Sequence, residues 1–264
     1  NDCHGGTVYC LASYDAGSKK LVTLSHPFSV DVDSAKMEFY EPEKETEDVV
    51  LFSKFGMIGE FFLGRMVGGV FEGSRSPGFE HPDTLFRIKD MPLRLCTAVR
   101  VDSTKTYRYV RYFGPRGGFG NVSEVGFYSS WADTEPLKGD ILGPQEGAHG
   151  SHSYFNVFDG HTDTSYDHPF DYGGWAGLDL GEKKAIGKIV YTPRNRDNFV
   201  RKDDLYELLV CHGGEWKSAG TQVAQSDSLL FRNIPKHALL LLRDLSRGEA
   251  ERLFEYKDGV QKYW

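Results

Sequence analysis

The sequence predicts an all-β protein of two domains, and three observations lead there. Its apolar stretches are four to eight residues long, rich in β-branched and aromatic side chains, and bounded by Gly, Pro, Asp or Asn. Thirty glycines and fourteen tyrosines form a composition of turns and pleated, half-buried surfaces. The 264 residues, 39% hydrophobic and 14% aromatic, are enough for real cores and exceed one average domain. Helical periodicity is scarce. Short strands joined by turn signals indicate sandwiches rather than βαβ units.

In chain order the strand-like runs begin with "TVYCLASY" (7–14), "KLVTLS" (20–25), "AKMEFYE" (35–41) and "VVLFSKF" (49–55). "TLFRI" (84–88), "CTAVRV" (96–101), "YRYVRYF" (107–113) and "EVGFY" (124–128) complete the first half. The second half holds "WAGLDL" (175–180), "GKIVYT" (187–192), "LYELLVC" (205–211), "LLFRNI" (229–234) and "ALLLLRDL" (238–245). Strand alternation places Tyr107, Tyr109 and Arg111 on one face of its run and Arg108, Val110 and Tyr112 on the other. Both faces are mixed, which suggests an edge or a domain junction. The acidic "EPEKETED" (41–48) reads as a solvated loop.

The best boundary is "SSWADTEPLKGDILGPQEGAHGS" (129–151), with two prolines, several glycines and no sustained period. It divides the chain into domains 1–132 and 137–264. Residues 1–40 are either a separate small β unit or the first strands of domain one. The chain also echoes itself: "GGVFEGSRSPGF" (68–79) resembles "FNVFDGHTDTSY" (155–166), as if the halves were cousins.

The formal net charge of −7 argues against a nucleic-acid partner, since phosphate binding needs a concentrated positive surface. No run approaches the roughly 18 apolar residues that span a bilayer, so no membrane insertion is expected. Cys96 and Cys211 lie in strand-like runs, where buried free thiols are usual, while Cys3 and Cys10 have the spacing for a local disulfide.

Three segments between 155 and 256 resemble the discoidin, or coagulation-factor C-type, family of galactose-binding-like β-sandwiches. They are "FNVFDGHTDTSY", "GGWAGLDLGEKKAIGKIVYTPR" and "DDLYELLVCHGGEWKSAG". In the first half only "YRYVRYFGPRGGFGNVSEVGFY" and the "GGVFEGS" loop match. The resemblance implies two tandem jelly-roll sandwiches, the first short or rearranged. The pairing is similar to C-terminal modules of Bacteroidetes surface proteins, which implies an extracytoplasmic, cell-surface setting. It also implies carbohydrate binding without catalysis, the partner being a glycan or cell-surface polysaccharide. The alternative is a structural or protein-interaction module accessory to a separate catalytic domain.

In the loop 158–167, Asp159, Asp163, Thr164 and Asp167, with local carbonyls, supply hard oxygens of the kind Ca²⁺ takes. The resemblance implies completion by a late Glu, either Glu251 or Glu255. Asp159 and Thr164 equally suit a self-bonded turn. The loop 191–204 offers Arg194, Arg196, Asn198 and Arg201 for sugar hydroxyls and Phe199 for a stacking face, Arg196 and Phe199 being the better candidates and Arg194 alternatively structural. His168 and Tyr172 are expected to be exposed beside it and Trp175 to be core. "GPRGGFGN" (114–121) lacks the Lys-Ser/Thr and the helix of a phosphate cradle, so it reads as a hairpin-like connection with Arg116 and Phe119 at its tip. Glu124 is either structural or a metal ligand. No pair of carboxylates and no Cys-His arrangement is marked out for catalysis.

Overall fold

The computed structural model describes residues 8–18, 21–25, 27–31, 33–34, 36–39, 44–54, 62–102, 104–147, 149–212, 215–248 and 252–263. As expected, the described residues are mostly β-strand in antiparallel sheets, with almost no helix. It divides into two units, one made of Asn1–Met57 with Asn198–Trp264 and the other of Ile58–Asp197, so the second is inserted into the first.

The first unit opens with β1 (Val8–Tyr9), β2 (Ala12–Tyr14), β3 (Leu21–Leu24), β4 (Phe28–Asp31), β5 (Lys36–Phe39) and β6 (Thr46–Leu51). The inserted unit holds β7 (Val70–Ser74), β8 (Asp83–Arg87), β9 (Thr97–Arg100), β10 (Thr106–Phe113), β11 (Glu124–Tyr128), β12 (Asp140–Leu142), β13 (Trp175–Ala185) and β14 (Lys188–Thr192). The chain returns to the first unit with β15 (Leu205–His212), β16 (Glu215–Val223), β17 (Leu229–Pro235), β18 (Leu239–Asp244), β19 (Phe254–Lys257) and β20 (Val260–Tyr263).

In the inserted unit a five-stranded sheet, β12-β13-β10-β7-β8, packs on a three-stranded one, β11-β14-β9. Phe71, Val110, Tyr112, Ala176 and Leu178 from the first meet Val125, Phe127, Ile189 and Tyr191 from the second in one core. The Phe71 ring is fully buried, 5.3 Å from those of Tyr112 and Tyr191 and 6.2 Å from that of Phe127.

The expected division into 1–132 and 137–264 differs from this arrangement. β10 pairs with β13, and β11 with β14, across that boundary. The segment 129–151 is part of the inserted unit: Leu137 donates to the Phe127 carbonyl, and β12 pairs with β13. Its glycines and prolines mark turns, which is all such residues specify locally. The internal echo also falls within this unit, one copy forming β7 and its loop, the other a 3-10 turn at Tyr154–Phe158.

β10 is a central strand, not an edge. A bulge between Tyr107 and Tyr109 breaks the expected alternation and turns Tyr107 into the core beside Val110 and Tyr112. On the other face Arg111 pairs with Glu72 at 2.7 Å and covers the rings of Phe79 and Trp175 at 4.1 and 5.4 Å. Trp175 is therefore half-buried on the outer face rather than in the core. β10 and β11 lie in different sheets, so "GPRGGFGN" is a crossover between sheets and not a hairpin turn.

In the first unit the pair β6–β17 packs on the sheet β16-β15-β18-β19-β20. Val49 and Leu51 meet Phe231, Tyr206, Leu208, Leu240, Leu242 and Phe254. The acidic run ends in strand, since Thr46, Glu47 and Asp48 begin β6. Cys211 is buried, but Cys96, just before β9, is exposed. Cys10 Sγ donates to the Ser25 carbonyl at 3.0 Å, and Cys3 lies outside the described residues. Among the described residues no helix is long and apolar enough to cross a membrane.

Two substitutions separate packing from hydrogen bonding in this core. Phe71→Ala should cost about 3–5 kcal/mol, read as a lower urea midpoint. Tyr112 Oη is buried with no hydrogen-bond partner. Tyr112→Phe should therefore leave stability unchanged or raise it by up to about 1 kcal/mol, read as an equal or higher urea midpoint.

Candidate functional site

One end of the inserted sandwich gathers three loops: 114–123 after β10, 159–174 before β13, and 193–197 after β14. Backbone hydrogen bonds zip the first two together. Gly114 donates to Gly174, Gly117 to Asp171, His168 to Phe119 and Tyr166 to Val122, at 2.6–2.9 Å. Gly120 has φ of +63°, and a Cβ there would stand 2.7 Å from the Tyr166 ring and 3.0 Å from Gly174 Cα. The glycines of this loop thus serve close backbone approach and positive φ.

Tyr166 is fully buried beneath the loops, and its hydroxyl lies 2.9 Å from His168 Nδ1. Burial pushes the His168 imidazole below its usual range, which favours its neutral form. His168, expected at the surface, is buried because both its neighbours close over it: Tyr166 on one side and the Phe170 ring 5.7 Å away on the other. Phe170 and Tyr172 above it are 49% and 58% exposed and stack at 6.1 Å with an interplanar angle of 23°. The exposed Arg116 guanidinium lies 5.9 Å from the Tyr172 ring centre. Phe170 carried no signal in the sequence beyond an aromatic two residues from Tyr172.

Beside this platform Asp167 organises the remaining groups. It accepts from Asn121 Nδ2 at 2.6 Å and pairs with Arg194 at 2.5 Å. Arg65 donates to Asn121 Oδ1 at 2.9 Å, and its guanidinium covers the Phe119 ring at 4.7 Å. Arg194 and Arg196 lie 4.5 and 5.2 Å from the Phe62 ring centre. Phe119 holds φ at +54°, a strained value for a side chain with a Cβ.

The structure thus places Arg116, Phe119, His168, Tyr172 and Arg196 at one loop end. It does not bring Asn198 and Phe199 there. Both belong to the first unit, 3% and 1% exposed, where Phe199 bridges to Ser53 and the Asn198 carbonyl accepts from the Lys54 backbone amide. Their polar loop context in sequence conceals that the chain re-enters a core at Asn198.

The oxygen set for calcium is also redistributed. Asp159 accepts from the His161 amide and the Thr164 hydroxyl, both at 2.8 Å, which is the self-bonded turn. Asp163 is exposed. Glu255 lies in the other unit, paired with His237 at 2.5 Å, and Glu251 is outside the described residues. The carboxylate beside the loop is Glu124, which accepts from the Gly160 amide at 3.1 Å. Among the described residues no three His, Cys, Asp or Glu side chains converge as a metal site.

Glu124 lines a cavity of about 250 Å³ walled by Leu137, Ile141, Phe158 and Leu178. That burial pushes its carboxyl up to about 8, offset by the Gly160 amide and aided by the charge of Asp159.

Neither a family model, a curated protein nor a solved structure matches this chain. The discoidin-like resemblance rests on its sequence segments, two of which lie in the inserted unit and the third in the first unit.

Because the folded Glu124 holds its proton to higher pH than the unfolded chain, the native state binds more protons between about pH 4.5 and 8. Its contribution is complete below that window and lost as pH rises through it. In chelator, Glu124→Gln should flatten the fall of melting temperature across that window by a few degrees, as followed by thermal unfolding.

Proposed function

We propose that the chain is a non-catalytic carbohydrate-binding module that works outside the cytoplasm, and that the loop end of its inserted sandwich is the binding surface. The observation that carries this reading is the exposed pair Phe170 and Tyr172, stacked on each other with Arg116 alongside. Flat, half-exposed rings suit the C–H faces of a pyranose, and a guanidinium donates to pairs of hydroxyls. Their positions are set in advance by the hydrogen bonds between loops, so little ordering entropy opposes binding.

A five-stranded and a three-stranded antiparallel sheet with loops gathered at one end also suits a galactose-binding-like jelly roll. The site is shallow and the ligand small, so monovalent affinity is weak. Calcium at the 158–167 loop would draw on Asp159 and the neighbouring Glu124, with further oxygens needed to reach the six to eight that ion takes.

The mutual satisfaction of Arg194, Asp167, Asn121 and Arg65 favours a second reading, a structural or protein-interaction module accessory to a catalytic domain. A glycan-array screen of the full chain, with calcium and with chelator, separates the two. For a glycan that binds, Tyr172→Ala and Arg116→Ala should each weaken binding about tenfold, the worth of one stacking or cation–π contact. Arg196→Ala, on the Phe62 side, should leave it unchanged. A blank array in both conditions would overturn the lectin-like reading.

A further inference from the structure

The first unit contains an amine and a carboxylate in contact, both wholly removed from water. Lys54 Nζ lies 2.9 Å from Asp244 Oδ2, and both side chains are 0% exposed. No other ion pair among the described residues has both members at that limit. Lys54 follows β6 at the point where the chain leaves for the inserted unit, and Asp244 ends β18. The other carboxylate oxygen, Oδ1, accepts the backbone N–H groups of Ser246 at 3.0 Å and Arg247 at 2.9 Å.

These three facts define a reaction geometry. The nucleophile touches one oxygen of the carboxyl, and two fixed backbone donors hold the other. We propose that Lys54 and Asp244 condense into an intramolecular amide, an isopeptide cross-link.

The ammonium first gives a proton to Oδ2, leaving a neutral amine and a carboxylic acid. The Nζ lone pair attacks Cγ, and negative charge develops on Oδ1, where the Ser246 and Arg247 amides stabilise it as an oxyanion hole does. The Cγ–Oδ2 bond then breaks, and Oδ2 departs as water with a second proton from Nζ. Ammonium and carboxylate become amide and water; no oxidant or other reactant is required. Holding the two groups in contact replaces a bimolecular encounter, an advantage worth roughly 10⁵–10⁸ M in effective concentration. The product joins the two segments of the first unit covalently on either side of the insertion.

Intact mass of the denatured full chain tests this directly. The wild type should be lighter than its sequence by one water, and a protease that cuts after lysine should leave position 54 uncut within a branched peptide containing Asp244. Lys54→Arg should restore the full sequence mass. Because the masses are read on denatured chains, the test stands even where the variant folds poorly. A wild type at full sequence mass overturns the proposal, and so does a deficit of one water that persists in Lys54→Arg.

Discussion

The first unit exists only if two chain segments separated by a whole inserted sandwich are held against each other. β6 supplies Val49 and Leu51, and β17 answers with Phe231 and Leu229 in antiparallel register. The pairing continues past the strands, with Ser53 bridging Phe199 and the Val200 amide donating to Phe52. Closing a long loop costs only slightly more than closing a moderate one, since the entropy grows with the logarithm of length. A few paired residues and a shared apolar core are therefore enough to sustain the insertion. Lys54 and Asp244 sit at the end of that pairing, where the chain departs.

The inserted unit solves a different problem: it must fix loops without burying them. It does so with backbone hydrogen bonds between "GPRGGFGN" and the 166–174 segment, and with glycines where two backbones meet closer than a Cβ permits. The buried Tyr166–His168 contact forms the floor and leaves Phe170 and Tyr172 facing out. The strain of Phe119 at positive φ is held by the same bonds, since its carbonyl accepts from His168. Rigidity and exposure coexist here because main-chain groups do the fastening and side chains are released from it.

Charge follows the same division of labour. Asp167 is shared between Asn121 and Arg194, so the polar groups behind the platform satisfy one another. Arg116 has the Tyr172 face instead. Glu124 is the exception, a carboxyl against apolar walls whose acid form is favoured by burial.

By itself the sequence determined the elements: short β-branched and aromatic runs such as "YRYVRYF", "GKIVYT" and "ALLLLRDL" became β10, β14 and β18, because pattern and propensity act within a few residues. It also marked Arg116, Phe119 and Tyr172 as loop residues of suitable chemistry. Tertiary structure decided which strands share a sheet, and so where the units divide; the glycine- and proline-rich 129–151 segment looked like a linker and lies within one sandwich. It decided that Phe199 and Asn198 enter a core, that His168 lies beneath Phe170, and that Glu124 rather than Glu255 stands by Gly160. The reason is physical: a strand's hydrogen bonds are made to partners its own sequence does not contain, so pairing over long separations is settled only when both faces find a common core.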